Sequence, residues 1–309
     1  MKKDLLSIKD LTQDDFNYIF ELAEGLKAGV GGFEKPLSGK SIGLIFQKPS
    51  NRTRVSFEVG IFQLGGNAIY LGADDIKLGV RESIKDVAKV LSRYLDGIIA
   101  RTFLHKDVVT LAKYADIPVI NGLSDFHHPC QALSDIFTIK EKLGKLSNVT
   151  LAYVGDGNNV LHSLLYAAAI MGMDLKFSTP EGYEPKKDIV EEVKKIAETT
   201  KSSIAYYKTA EEAVKGADVV YTDVWTSMGE EDEHDKRVRD FESYQVNEKL
   251  FAKAKKDALL MHCLPAHRGE EITDPLLDGP NSIVIDQAEN RLHVQKAILM
   301  VFIGGKRKR

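Results

Sequence analysis

At 309 residues the chain is about twice a typical domain, so two domains are expected. Hydrophobic residues make up 43% and charged residues 28%, a balance that excludes a disordered or fibrous chain. A formal charge of −3 excludes a global nucleic-acid binder, and no apolar run reaches the roughly 18 residues of a membrane-spanning helix.

The first ten residues hold no apolar stretch for a signal peptide, and Cys130 and Cys263 supply no disulfide framework. Both features suit a reducing cytoplasm. Thr12 and Asp15 stand at capping-box spacing, and Phe16, Ile19, Phe20, Ala23 and Leu26 follow at helical intervals. Strand-like runs come next at 41–46, 68–71, 97–101 and 117–120. Between the second and third, Ile84, Val87, Val90, Leu91 and Tyr94 mark an amphipathic helix. A helix starting at Pro129 runs to about Leu143, with Gly144 as its C-cap. A second series of strands then occupies 149–155, 175–178, 203–207, 219–224, 259–263 and 283–286. The charged stretch 229–240 reads as a mobile surface loop, 292–303 as a closing helix, and the basic end 306–309 as a solvated tail.

This alternation gives an α/β fold of two domains, each with a central parallel sheet flanked by helices. The boundary falls within 144–148, dividing the chain into 1–144 and 145–287. The polar, glycine- or proline-containing segments 47–54, 156–159, 223–229 and 263–269 all come after strand ends. Ligands of open α/β sheets bind at the carboxyl ends of strands, so two such edges facing each other across a cleft make an enzyme layout.

Each segment has its own chemistry. Ser50, Asn51, Arg52 and Thr53 precede a helical pattern, where free N–H groups, hydroxyls and a guanidinium make an anion cradle. Arg54 points away from Arg52 on that helix and is assigned to an i,i+4 pair with Glu58. His128 and Gln131 flank Pro129 at a helix start, so an imidazole and an amide are placed to hold a planar carbonyl group. His127 reads as structural. No Cys-x-x-Cys or His-x-x-x-His pair fixes metal geometry, and no metal is expected. The turn Gly155-Asp156-Gly157-Asn158-Asn159-Val160 lacks the third glycine of a dinucleotide fingerprint, although NAD stays a rival reading. Its asparagines suit an α-carboxylate or an amine instead. Cys263, beside a proline turn at a strand end, is a candidate functional thiol.

Together these pieces resemble the aspartate/ornithine carbamoyltransferase family over essentially the whole chain. The family's Ser-Thr-Arg-Thr-Arg loop stands here as Ser50-Asn51-Arg52-Thr53-Arg54, and its His-Pro-x-Gln as His128-Pro129-Cys130-Gln131. Asp223-Val224-Trp225-Thr226-Ser227-Met228-Gly229 and His262-Cys263-Leu264-Pro265 match motifs of the ornithine branch. The resemblance implies that Ser50, Asn51, Arg52 and Thr53 hold the phosphate of carbamoyl phosphate. Arg101, His128 and Gln131 would hold its carbamoyl group, with Cys263, Leu264 and Arg291 completing the pocket. Asn159, Asp223, Ser227 and Met228 would take ornithine, and Leu264–Pro265 would be cis. It further implies that the C-terminal helix 288–309 packs back on the first domain, and that chains assemble as homotrimers in which a neighbour contributes to each site. Asn51 departs from the usual threonine, so a backbone contact survives and a hydroxyl contact does not. Lys77 stands where many members place glutamine in the loop given to the neighbour; it either adds a cation to the phosphate or is solvated.

The implied reaction is attack of the δ-amine of L-ornithine on carbamoyl phosphate, giving citrulline and phosphate, in arginine biosynthesis or in reverse. Arg101, His128 and Thr53 would stabilise the oxyanion, while Asp223 and Cys263 would orient the amine and remove its proton. No cofactor is needed. A carbamoyltransferase for putrescine or another amine is the closest alternative, and a nucleotide-binding oxidoreductase the more distant one.

Overall fold

The computed structural model describes residues 2–29, 35–227, 229 and 231–305. The expected tail 306–309 and the site candidate Met228 lie outside the described residues. The chain forms two α/β units with parallel sheets, Met1–Phe137 with Glu289–Arg309, and Thr138–Ala288.

The first unit begins with α1 (Gln13–Ala28), whose N-terminus is closed by a reciprocal capping box. The Asp15 N–H donates to Thr12 Oγ1 at 3.3 Å, and Asp15 Oδ2 accepts the Thr12 N–H at 2.9 Å. Phe16, Ile19, Phe20 and Ala23 form its fully buried face. Thr12→Ala is expected to lower stability by ~1 kcal/mol. The check is a urea titration of the two proteins, in which the midpoint falls and the slope is unchanged.

Next along the chain are β1 (Ser41–Phe46), α2 (Asn51–Gln63), β2 (Asn67–Gly72), α3 (Ala73–Ile76) and α4 (Ile84–Leu91). Then come β3 (Gly97–Arg101), α5 (His105–Tyr114), β4 (Val119–Leu123) and α6 (Pro129–Leu143). The sheet order is β2-β1-β3-β4. Ile45, Ile98, Ala100 and Val119 meet Val87, Ala88, Val108 and Leu111 of α4 and α5 in its core. Burying each such branched side chain stabilises the unit by ~1.5–3 kcal/mol. The expected strand at 117–120 starts at Val119, because Pro118 has no N–H to give a ladder.

The second unit contains β5 (Thr150–Val154), α7 (Asn159–Met171), β6 (Asp174–Ser178), α8 (Lys187–Thr200), β7 (Ile204–Tyr206), α9 (Ala210–Val214) and β8 (Val219–Thr222). It continues with α10 (His234–Phe241), α11 (Glu248–Phe251), β9 (Leu259–His262), α12 (Asp274–Leu277) and the start of α13 (Val284–Phe302). Its sheet order is β7-β6-β5-β8-β9. Twelve successive residues of α7, Val160 to Met171, are buried, which is why this helix shows no polar face in the sequence.

Two expectations need correction. The stretch 229–240, read as a surface loop, is largely helical. Arg237 and Phe241, four apart, share one face and are both buried, and Phe241 packs on Tyr183 and Trp225. The strand expected at 283–286 is the first turn of α13. Pairing ends after one rung: the Ile283 N–H donates to Leu260 O at 3.0 Å, and Ile283 O then accepts the Gln287 N–H at 2.8 Å.

Candidate active site

In the first unit β1, β3 and β4 are adjacent and parallel, so their carboxyl ends share one edge. Phe46, the last residue of β1, pairs with Arg101, the last of β3, and the Gln47 N–H donates to Arg101 O at 2.9 Å. This register sets the 47–53 segment beside Arg101, which is only 4% exposed. Ser50 caps α2, its Oγ accepting the Thr53 N–H at 3.2 Å. Thr53 Oγ1 accepts from Arg291 Nη2 at 3.1 Å, Arg291 Nη1 donates to Gln131 Oε1, and Gln131 Nε2 donates to Asp135 Oδ1 at 2.8 Å. A buried chain of bonds thus joins three of the expected residues, which lie far apart in sequence.

His128 precedes α6 and is buried. Burial, then Arg291, Arg101 and Arg52, hold its pKa well below the ordinary 6.5. It is therefore a neutral imidazole surrounded by positive charge, suited to an anionic ligand. The unfolded chain takes up more protons between pH 6.5 and the depressed folded value, so the stability contributed by neutral His128 is full above that range and lost as pH falls through it. Without substrate, the melting temperature should fall more steeply below pH 6.5 in the parent than in His128→Asn. Parallel pH profiles would contradict a buried neutral imidazole.

The remaining residues of this unit divide clearly. Arg54 pairs with Glu58 at 2.9 Å and lies over the Tyr70 ring at 3.6 Å, as its helical position predicts. His127 packs edge-on against His105 and Phe126. Burial pushes the Cys130 thiol up to about 12, leaving it unreactive. Asn51 and Lys77 are exposed, Lys77 in left-handed backbone at φ 41°.

In the second unit β5, β8 and β9 are adjacent, with Val154 opposite Thr222 and Thr222 opposite His262. The next residues along β8 and β9, Asp223 and Cys263, consequently meet. Asp223 Oδ1 accepts from Cys263 Sγ at 2.8 Å and from the Val224 N–H at 2.8 Å, and Oδ2 accepts from Asn158 Nδ2 at 2.8 Å. Asp223 is 5% exposed, whereas Cys263, Asn159 and Ser227 are partly open. Asn159 begins α7, where Asn158 Oδ1 caps Val160 and Leu161. Leu264 has φ 56° and its bond to Pro265 is cis, as the resemblance implies.

Behind Cys263, His262 is completely buried. Its Nδ1 accepts the Leu264 N–H at 2.8 Å, so Nε2 carries the proton and donates to Glu271 Oε1 at 2.9 Å. Arg237 donates to Asp156 Oδ2 at 3.3 Å and to Trp225 O at 2.9 Å, fastening the segment after β8. Arg237 and Glu271 thus support the site without having been singled out for it, while Asn158, one of the two asparagines read as suiting a carboxylate or an amine, instead holds Asp223. Arg237 holds Asp156 from 81 residues away, and Glu271 lies in a turn whose carboxylate gives no local sign of its burial.

The glycine turn answers the nucleotide reading. A Cβ on Gly157 would lie 2.3 Å from Pro185 N and 2.4 Å from Tyr183 O. In a dinucleotide turn the second glycine opens its backbone to pyrophosphate. Here chain segment 183–185 takes that approach.

Residues 3–141 match the family described as aspartate/ornithine carbamoyltransferase, carbamoyl-P binding domain, and residues 147–302 match its Asp/Orn binding domain. The chain is 55% identical to the ornithine carbamoyltransferase of Syntrophus aciditrophicus, over 98% of this chain and 100% of that one. It is 52% identical to the enzyme of Pyrococcus furiosus named ornithine carbamoyltransferase, anabolic, over 98% of this chain and 97% of the relative. The solved Pyrococcus furiosus structure superposes with a TM-score of 0.94 over 98% of both chains. The Campylobacter jejuni anabolic enzyme, 37% identical, superposes at 0.93 over 99% of this chain and 100% of that one. With matched motifs at both sheet edges and both family domains along its length, the chain belongs to the aspartate/ornithine carbamoyltransferase family.

Proposed function

We propose that this protein transfers the carbamoyl group of carbamoyl phosphate to the δ-amine of L-ornithine, giving citrulline and phosphate. The observation that carries this reading is the neutral, buried His128 acted on by Arg52, Arg101 and Arg291 at one sheet edge. In this reading Ser50, Asn51, Arg52 and Thr53 hold the phosphate, aided by the N-terminal N–H groups of α2. Arg101, His128 and Gln131 hold the carbamoyl oxygen, Arg291 fixes Thr53 and Gln131, and Lys77 acts from an exposed loop.

A neutral amine attacks the carbonyl carbon, the oxyanion forms, and phosphate leaves toward Arg52. Arg101 and His128 stabilise the oxyanion as preorganised donors. Asn159, Asp223, Ser227 and Met228 receive ornithine, and Cys263 shares with Asp223 the task of orienting its amine. An ornithine amine, like that of lysine, is mostly protonated at neutral pH, so an adjacent carboxylate has a role both in binding it and in taking its proton.

The domains in this reading are 1–144 with 288–309 for carbamoyl phosphate, and 145–287 for ornithine. We further infer a cytoplasmic homotrimer working in arginine biosynthesis. Among the described residues no helix is long and apolar enough to cross a membrane. Citrulline and phosphate released together from ornithine and carbamoyl phosphate are the expected products. Their absence with active, folded protein would overturn the assignment.

A further inference from the structure

We propose that the second unit carries a binding site for a divalent transition-metal ion of the zinc class, formed by His234, His267, Glu270 and Glu271. Sequence spacing brings three of these together: His267, Glu270 and Glu271 lie in one turn after β9, and their ligand atoms are all within 4.8 Å of one another. The fourth comes from the first residue of α10. His234 Nε2 lies 3.2 Å from Glu270 Oε1, and His267 Nδ1 lies 3.5 Å from Glu270 Oε2. Ligands bound at zinc's usual lengths, tetrahedrally arranged, are roughly 3.3–3.6 Å apart. Two imidazoles and two carboxylates suit zinc, cobalt or nickel better than calcium or magnesium.

Glu271 supplies the independent observation. It is completely buried, and its Oε1 already accepts from His262 Nε2 and from the His267 N–H, at 2.9 and 2.7 Å. Its other oxygen, Oε2, is buried and among the described residues accepts no hydrogen bond. A carboxylate oxygen in that position is costly unless a cation offsets it. The histidines keep the site accessible, with side chains 41% and 42% exposed. The turn is held in place beforehand: Gln245 Nε2 donates to Gly269 O and Glu270 O at 2.8 and 2.9 Å, and the Glu270 N–H donates to His267 O at 2.9 Å. A bound ion fastens the first turn of α10 to the turn after β9.

A second group, Asp223, His262 and Cys263, also brings ligand atoms within 4.8 Å. Both nitrogens of His262 are engaged there, by Leu264 and Glu271. The test therefore separates the two positions. Chelator-treated full-length protein is titrated with Zn²⁺ by calorimetry and with Co²⁺ by visible absorption. One saturable ion per chain is expected, with tetrahedral cobalt bands and no thiolate-to-cobalt charge transfer. His234→Asn and His267→Asn should each weaken binding about 100-fold or more, with circular dichroism confirming their fold. Cys263→Ser should bind zinc as the parent does. Absence of saturable binding, unchanged affinity in both histidine variants, or a thiolate band lost in Cys263→Ser would each overturn the site.

Discussion

Exchanging Arg101 for methionine is expected to lower kcat by about 10²- to 10³-fold, or ~3–4 kcal/mol of transition-state stabilisation. Arg101 ends β3, is only 4% exposed, and lies in register with Phe46 at the end of β1. Its position is therefore set by backbone pairing, not by a flexible loop, and preorganisation of this kind gives an oxyanion donor its strength. Its charge also contributes to keeping His128 neutral, after burial and Arg291. Methionine keeps an unbranched apolar stem in a buried place, so the fold should persist. Arg101→Lys keeps the charge and loses the planar fork, and should recover only part of the rate. The measurement is steady-state citrulline formation by parent and variants, with circular dichroism as the check on folding. A methionine variant with parental kcat would take Arg101 out of the chemistry.

Much of the first sheet was readable because its signals are local. Strands β1 and β3 occupy the expected 41–46 and 97–101, where short apolar runs stand between helical patterns. The capping box at Thr12 is likewise a three-residue relation, and it forms as spaced. The candidate segments were readable as loops at sheet edges, since the turns after β1, β5, β8 and β9 carry the polar residues. The features that periodicity missed depend on partners far along the chain. Arg237 of α10 reaches Asp156, 81 residues away, and a charged side chain gives no apolar signal of its burial. Arg291 meets Thr53 across 238 residues, a bond that only the fold brings into being. The residues 283–286 are rich in β-branched side chains and read as a strand, yet Leu260 offers them a single rung before the helix takes over. Helix α10 and the start of α13 are thus tertiary overrides of local pattern.

Ornithine is expected to exceed both putrescine and lysine by at least ~10²-fold in kcat/KM. The buried carboxylate of Asp223 comes directly after β8, held by Cys263, Asn158 and the Val224 N–H, and the proposed reading assigns it to pair with a cationic substrate. Asn159 is the first residue of α7, and the proposed reading assigns the donors at that helix N-terminus to the α-carboxylate of the substrate. Putrescine has no carboxylate, so those donors would lose their partner on binding. Lysine is one methylene longer, which carries its terminal amine past the carbamoyl carbon. Removing one partner of a buried charge pair costs ~3–5 kcal/mol, so Asp223→Asn should lose roughly 10²- to 10³-fold or more in kcat/KM with ornithine. The substitution also puts an NH2 group where a carboxylate oxygen now accepts, facing either Asn158 Nδ2 or the Val224 N–H and Cys263, donor against donor whichever way the amide turns. Carbamoyl-phosphate binding, assigned mainly to residues of the first unit and not to Asp223, should survive and is the control for folding. Initial rates with the three amines at saturating carbamoyl phosphate test the selectivity. Comparable turnover of putrescine would remove the ornithine assignment and leave carbamoyl transfer standing. An Asp223→Asn protein with parental kinetics would remove Asp223 from the site.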